Sequence, residues 1–214
     1  MKDEAGLEIP CSIWYNLASM ERPTFIREDL VMESLGAGRR SDAFKIPGWA
    51  IKVTREVPKG YSLESFTRKL QWQYNLLEQF VGDYAVNTNF IFGRKEQQNE
   101  LELYIVQPLI EGEQFEDVMK NPSKGLDLIR DFFLKSLEMK RKTGYMPDTT
   151  GMIRSYIYGR PWRTSNLVLT VEEEQYRPHL IDTNFSRKSE GFFSRPLQNA
   201  SLELAIKQFL RETR

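Results

Sequence analysis

Few residues in this chain could carry chemistry, and they come in a definite order. Gly36-Ala37-Gly38 lies between two segments that read as strands. A Gly-x-Gly turn lets backbone approach phosphate oxygens closely, because no Cβ intervenes. A dinucleotide turn needs a helix next, so the following strand argues against that use. A plain turn uses the same glycines. Lys52 closes the run Ala50-Ile51-Lys52, either as an inward cation or as a strand-edge lysine in solvent. Asp148 is a lone carboxylate after an amphipathic stretch. Asn166 and Asp182 stand at the ends of two short strand-like runs. An amide oxygen and a carboxylate suit Mg²⁺, which takes few protein ligands and completes its shell with phosphate oxygens. Turn capping is the other use of Asn and Asp there.

The elements that must position these residues follow from pattern. Residues 1–28 mix apolar, polar and proline residues and read as a lead-in. Residues 30–35, 43–46 and 49–53 read as three strands of an antiparallel meander. Pro47-Gly48 is the second turn. Phe66, Leu70, Tyr74, Leu77 and Phe80 recur at helical spacing, so a helix is expected over 63–81, ended by Gly82-Asp83. Two strands over 89–94 and 101–106 follow. A short helical piece over 115–119 precedes a longer helix begun by Asn121-Pro122-Ser123, with Leu126, Ile129, Phe132, Phe133, Leu137 and Met139 on its apolar side. Beyond Gly144 the chain reads as loop. Residues 166–170 and 179–182 form short strands around the acidic turn Glu172-Glu173-Glu174, and a last helix fits 201–211. Strands first and helices later imply an α+β architecture. Trp14, Trp72 and Phe132 are expected in the core.

Composition narrows the function classes. The 214 residues are 40% hydrophobic and 28% charged, which allows a packed core and argues against disorder. Lysine plus arginine equals aspartate plus glutamate, so no whole-surface attraction to DNA or membrane is expected. Cys11 is the one cysteine. It cannot form an internal disulfide, and it fits a structural thiol in a reducing, cytoplasmic setting. His179 is the one histidine, which excludes a multi-histidine metal site; it reads as a strand residue. Neither a membrane-spanning apolar run nor a secretory leader pattern is visible, so no membrane partner is expected.

Taken in order, these signals resemble the protein-kinase-like superfamily over residues 30–185, closer to its atypical bacterial and aminoglycoside-phosphotransferase-like branches than to regulatory protein kinases. Gly36 and Gly38 resemble the glycine-rich loop, with Ser41 where a third glycine is usual. Ala50-Ile51-Lys52 resembles the strand whose lysine pairs with the α- and β-phosphates. Leu103 to Gly112 resembles the strand entering the hinge. There Gln107 would be the gatekeeper, the Pro108 carbonyl would accept from the adenine amino group, and the Ile110 N–H would donate. Thr143 to Asp148 resembles the approach to the catalytic aspartate, with Met146 and Pro147 in place of His-Arg. Ser165-Asn166-Leu167-Val168-Leu169 and Leu180-Ile181-Asp182 resemble the two metal-binding segments, Thr183-Asn184 standing where Phe-Gly is usual.

The resemblance implies a two-lobed fold with a β-rich N-lobe over 29–110 and a reduced helical C-lobe over 111–214. It implies ATP and Mg²⁺ as ligands and a small-molecule or protein substrate. It also marks departures. Gln73 occupies the place of the acid that would pair with Lys52, with Glu78 and Glu64 as substitutes. Seventeen residues separate Asp148 from Asn166, where the family motif has four. At the usual spacing the catalytic position falls on Pro161, which describes a pseudokinase acting as a nucleotide-binding or regulatory module. Only 32 residues follow Asp182, and no Ala-Pro-Glu motif is present, so a conventional protein kinase is not expected. A third reading is a nucleic-acid or polyanion binder. It rests on Lys140, Arg141, Lys142, Arg154, Arg160 and Arg163 with interleaved aromatics.

Overall fold

The computed structural model describes residues 13–16, 24–25, 32–37, 41–54, 56–95, 98–119, 121–149, 166–183, 185–186, 203–204, 206–211 and 213. The chain is mixed α+β, with a sheet-rich region and a few helices. It divides into two compact units, one of residues 1–71 and 87–109, the other of residues 72–86 and 110–214. Among the described residues no helix is long and apolar enough to cross a membrane.

The first unit is built on one antiparallel sheet. Its strands are β1 (Ile13–Asn16), β2 (Thr24–Phe25), β3 (Glu33–Ala37), β4 (Ser41–Ile46), β5 (Trp49–Thr54), β6 (Asn89–Lys95) and β7 (Gln98–Pro108). Their order is β2-β1-β6-β7-β5-β4-β3. The expected meander is β3-β4-β5. Gly48 makes its second corner at a φ of +79°, a conformation glycine adopts without strain. The lead-in expectation fails at β1, whose Tyr15 and Asn16 pair with Phe92 and Ile91 of β6. β1 lies between β2 and β6, and its β6 partner is some 75 residues further along the chain, so local pattern does not announce it.

One face of this sheet carries an apolar cluster of Met32, Ile51 and Tyr104, with Phe44, Ile46, Val53, Ile91 and Val106 packed against it. Side chains alternate between faces along each strand, so the intervening residues of β4, β5 and β7 belong to the other face. That alternation is what positions the candidate site.

Helix α1 (Leu63–Val81) starts at a reciprocal serine cap. The Ser65 N–H donates to Ser62 Oγ (3.1 Å) and the Ser62 N–H donates to Ser65 Oγ (2.9 Å), satisfying donors the first turn leaves open. Phe66, Leu70, Tyr74, Leu77 and Val81 form its buried stripe. Trp72 falls off that stripe and is 47% exposed, which corrects its assignment to the core. Gly82, at φ +57°, opens the single 3₁₀ turn that ends the helix.

The second unit holds β8 (Glu113–Gln114), α2 (Phe115–Val118), α3 (Asp127–Thr143), β9 (Met146–Pro147), β10 (Leu167–Glu172), β11 (Gln175–Leu180) and β12 (Phe185–Ser186). Three strands lie in the order β11-β10-β8, and β12 pairs with β9. Phe115, Phe132, Phe133 and Phe209 are fully buried and meet in two edge-to-face and two tilted pairs, 5.2–6.1 Å between ring centres. Each contributes about 1.5–3 kcal/mol by leaving water, alongside the buried Ile129, Met139, Leu167 and Leu169 of the same unit. Residues 206–211 are helical, and Arg130 of α3 donates to the Leu210 carbonyl (3.1 Å) and to Thr213 Oγ1 (2.7 Å).

Helix α3 begins later than Asn121-Pro122-Ser123 implies. The Gly125 N–H donates to the Glu174 carbonyl and the Gly125 carbonyl accepts from the Tyr176 N–H, both at 2.9 Å. With both backbone groups bonded to the β10–β11 hairpin, Gly125 cannot sit in a helical turn. The Asp127 N–H then finds its acceptor in Gln175 Oε1 (3.1 Å) instead of a local cap. Gly144, at φ +77°, closes the helix with its N–H on the Lys140 carbonyl.

Candidate functional site

In the first unit the strand register sorts the candidate residues into rows. Gly36 stands opposite Ala43, Ala43 opposite Lys52, Lys52 opposite Ile105, and Ile105 opposite Phe90. The adjacent row runs Lys45, Ala50, Gln107. Directly paired residues share a face, and residues two apart along a strand share it too. Gly36, Ala43, Ala50, Lys52, Ile105 and Gln107 therefore lie together on the face opposite the apolar cluster. A bulge between Ser34 and Gly36 keeps Gly36 in this row, with its φ at +143° and nothing within 4 Å of where a Cβ would stand. Gly38 lies outside the described residues.

The surroundings of Lys52 are small on one side, with Ala43 beside it and Ala50 two residues before it. Sequence reading singled out Ala50 and passed over Ala43, whose role emerges only from cross-strand register. Gln107 is 3% exposed, and its Nε2 donates to Thr88 Oγ1 at 2.7 Å. Pro108 pairs with Trp49, and the next residue, Leu109, donates its N–H to the Gly48 carbonyl (3.0 Å). Ile110 is half-buried at the start of the second unit's segment. Of the residues considered as partners for Lys52, Gln73 is 4% exposed, Glu64 accepts from Arg68 (2.5 Å), and Glu78 is exposed.

In the second unit three distant chain segments converge. Asn166 Nδ2 donates to the Asp148 carbonyl at 2.9 Å. The Ile181 N–H donates to the Asn166 carbonyl at 3.0 Å, and Leu167 pairs with Leu180. Asp182 follows directly. Met146 and Pro147 pair with Ser186 and Phe185, so β9 delivers Asp148 beside the chain that has just passed Asp182. Asp148, Asn166 and Asp182 are each half-buried. Residues 146–147, read as loop, are a short strand, and that pairing fixes where the carboxylate stands.

The donor set suits a hard cation with few protein ligands. Asn166 turns its amide hydrogen to Asp148, so Oδ1 is the atom it could offer a cation, and Asp182 could add a carboxylate. Among the described residues no three His, Cys, Asp or Glu side chains form a metal-holding group. Next to Asp148, Thr149 is 1% exposed, and its hydroxyl finds no hydrogen-bond partner among the described residues. Thr183 is also buried.

His179 sits on β11 with its Nε2 2.8 Å from Thr170 Oγ1. Burial, with Arg177 adding to it against an opposing pull from Glu172, holds its pKa below the ordinary histidine value. The basic stretch is partly neutralised within the fold: Lys140 pairs with Glu203, and Lys142 with Glu138 (2.7 Å). Arg154, Arg160, Arg163, Pro161, Asn184 and Cys11 lie outside the described residues, as does the side chain of Trp14.

No family model matches the chain, and no curated protein matches it in sequence.

Proposed function

We propose that this chain is an ATP- and Mg²⁺-dependent phosphotransferase of kinase-like, two-lobed fold. The observation that carries the reading is the Asn166–Asp148 hydrogen bond together with the backbone bond from Ile181 to Asn166. The long interval between Asp148 and Asn166 was the strongest objection to a catalytic role, and the two residues are in contact despite it. The row Gly36-Ala43-Lys52, next to Ala50 and Gln107, supports the nucleotide half of the same reading.

In this reading Gly36 admits phosphate oxygens to the backbone and Lys52 balances their charge. The Pro108 carbonyl and Ile110 N–H receive the base edge. Asn166 Oδ1 and the Asp182 carboxylate would hold Mg²⁺, which when bound neutralises charge on the transferring phosphoryl group. Asp148 orients the attacking hydroxyl and accepts its proton, with its backbone held by Asn166. Positioning supplies most of the rate, because phosphoryl transfer needs little covalent chemistry from the protein.

A buried neutral Gln73 favours a second reading, a nucleotide-binding module without turnover, since the acid that would order Lys52 is missing from that position. Paired measurements separate the two. Mg²⁺·ATP should raise the melting temperature and bind by calorimetry. Lys52→Ala should weaken binding with or without metal, whereas Asp182→Asn should remove the metal-dependent part. Asp148→Asn should leave ATP affinity nearly unchanged and lower phosphate transfer or ATP hydrolysis about a hundredfold or more. Equal residual turnover in wild type and Asp148→Asn establishes the non-catalytic reading. A well-folded wild type that binds no ATP overturns both.

A further inference from the structure

We propose that Tyr84 is a positioning residue for the Asp182 carboxylate, acting through the backbone of Ala85 and Val86. The inference rests on the cation reading above and gives that site a third supporting segment, drawn from the end of α1. Leu180, two residues before Asp182, is held on both of its edges. On one side it pairs with Leu167 of β10. On the other it makes a parallel bridge with Ala85, and its carbonyl accepts from the Val86 N–H at 3.2 Å. Leu180, Ala85 and Val86 are all buried. The last paired position before Asp182 is therefore set by residues 85–86 as well as by β10.

The 3₁₀ turn Gly82–Tyr84 delivers those two residues, and a single turn of that kind holds weakly by itself. Tyr84 supplies what the turn lacks. It is 7% exposed, its hydroxyl donates to Asp131 Oδ2 of α3 at 2.8 Å, and its ring stands edge-on to Phe132 at 5.7 Å. Lys135 of α3 lies over the same ring at 4.9 Å and pairs with Asp131 at 2.8 Å. Arg177 of β11 lies 5.9 Å from the ring, and it reaches Glu172 (2.6 Å) and Asp83 (4.0 Å). Tyr84 is thus tied to α3 by its hydroxyl and to β11 by Arg177, and the chain after it runs beside β11 to Leu180. Burial alone would be served by phenylalanine. The hydroxyl adds a fixed bond to α3, which sets where the turn, and then Val86, meets Leu180. Mg²⁺ tolerates little error in ligand placement, so a small shift of Asp182 costs cation affinity before it costs the fold.

Calorimetry of ATP binding to the full chain across a range of Mg²⁺ concentrations tests this. Tyr84→Phe removes the donor and Asp131→Ala removes the acceptor. Each should raise the Mg²⁺ concentration needed for half of the metal effect about three- to tenfold, less than for a group bonded directly to a metal ligand. ATP affinity without Mg²⁺ should stay as in wild type. Asp131→Asn keeps an oxygen for the Tyr84 hydroxyl, gives up the ion pair with Lys135, and should keep the wild-type Mg²⁺ dependence. Ser123→Ala removes the 3.0 Å hydrogen bond to Tyr176 at the far end of β11 and should lower stability without moving the Mg²⁺ dependence. Hydrogen exchange at the Val86 amide should quicken in Tyr84→Phe and Asp131→Ala alone. Wild-type Mg²⁺ dependence in both of those variants, or an equal shift in Ser123→Ala, overturns the inference and leaves the cation site standing. Wild type whose ATP binding ignores Mg²⁺ overturns the cation reading, and this inference with it.

Discussion

Asn166→Asp is the substitution most at odds with intuition, because it keeps the size of the side chain and adds charge to a candidate cation ligand. If Asn166 were only a ligand, the change would be neutral or would tighten Mg²⁺. The structure predicts damage. Asn166 Nδ2 donates to the Asp148 carbonyl at 2.9 Å, and a carboxylate has no hydrogen to give there. Two oxygens would face each other at hydrogen-bond distance in a half-buried setting. The loss of a net hydrogen bond is about 1 kcal/mol, and leaving an acceptor opposed instead of paired raises the cost to about 2–3 kcal/mol. For a chain of this size that corresponds to a melting point lower by roughly 5–10 °C.

The pH dependence gives the prediction a second edge. Repulsion from the Asp148 carbonyl raises the pKa of the new carboxyl in the folded state above the unfolded value of about 3.9. Its destabilisation is therefore complete above the folded pKa and fades as pH falls toward the unfolded one, where the neutral acid donates a hydrogen again. Differential scanning calorimetry of wild type and variant from pH 7.5 to pH 4.5 measures the gap. It should be widest at neutral pH and should narrow on acidification. Asn166→Ala, which removes the donor without adding charge, should show a gap that does not close. A variant as stable as wild type at pH 7.5 would refute the bond between Asn166 and Asp148, and the argument for the site with it.

Three further outcomes are open to test. A Cβ on Gly112 would stand 2.3 Å from the Leu169 carbonyl oxygen, so Gly112→Ala must push β8 from β10 and should lower stability by about 1–3 kcal/mol in urea denaturation. His179 is the chain's one histidine and its folded pKa lies below the ordinary value, so its share of stability is present above the unfolded pKa of about 6.5 and is lost as pH falls through the folded one; His179→Gln should flatten the melting-point profile between pH 7 and pH 5.5. Thr149→Val replaces a buried hydroxyl, unpaired among the described residues, by a methyl and should leave stability equal or about 1 kcal/mol higher; a clear loss would mean that this hydroxyl has a partner in solution.

What was legible in the sequence was local. The meander, its Pro47-Gly48 corner and the bounds of α1 follow from alternation, helical spacing and turn residues, all of which act within a few positions. Of the β10–β11 hairpin only the first strand and the acidic turn were legible, because β11 (Gln175–Leu180) starts four residues before the expected 179 and ends two before 182. What was not legible depends on partners far along the chain. Nothing near Ile13–Asn16 says that β6 will take it up. Gly125 looks like part of a helix start until Glu174 and Tyr176 bond its backbone. Trp72 is apolar by type, but the helix turns it away from the buried stripe. Ala43 and Thr88 carry no motif at all. They matter because register sets one beside Lys52 and a hydrogen bond ties the other to Gln107.

The same distinction explains why sequence spacing misleads at Asp148. A motif with fixed spacing treats the chain between two residues as the ruler, yet the ruler here is the strand pairing on either side. β9 holds Asp148 through Met146 and Pro147 against β12, and β10 holds Asn166 through Leu167 against β11. Both β11 and β12 adjoin Asp182, so the three residues are located by their flanks. For a plain flexible connection, extra residues add only closure entropy, about 0.6 kcal/mol for each doubling of loop length. Going from four residues to seventeen is about two doublings, so the cost is close to 1.2 kcal/mol, comparable to what one hydrogen bond such as Asn166–Asp148 returns. Shortening the interval would therefore change stability little, while removing the β9–β12 or β10–β11 pairing would scatter the three side chains whatever the interval.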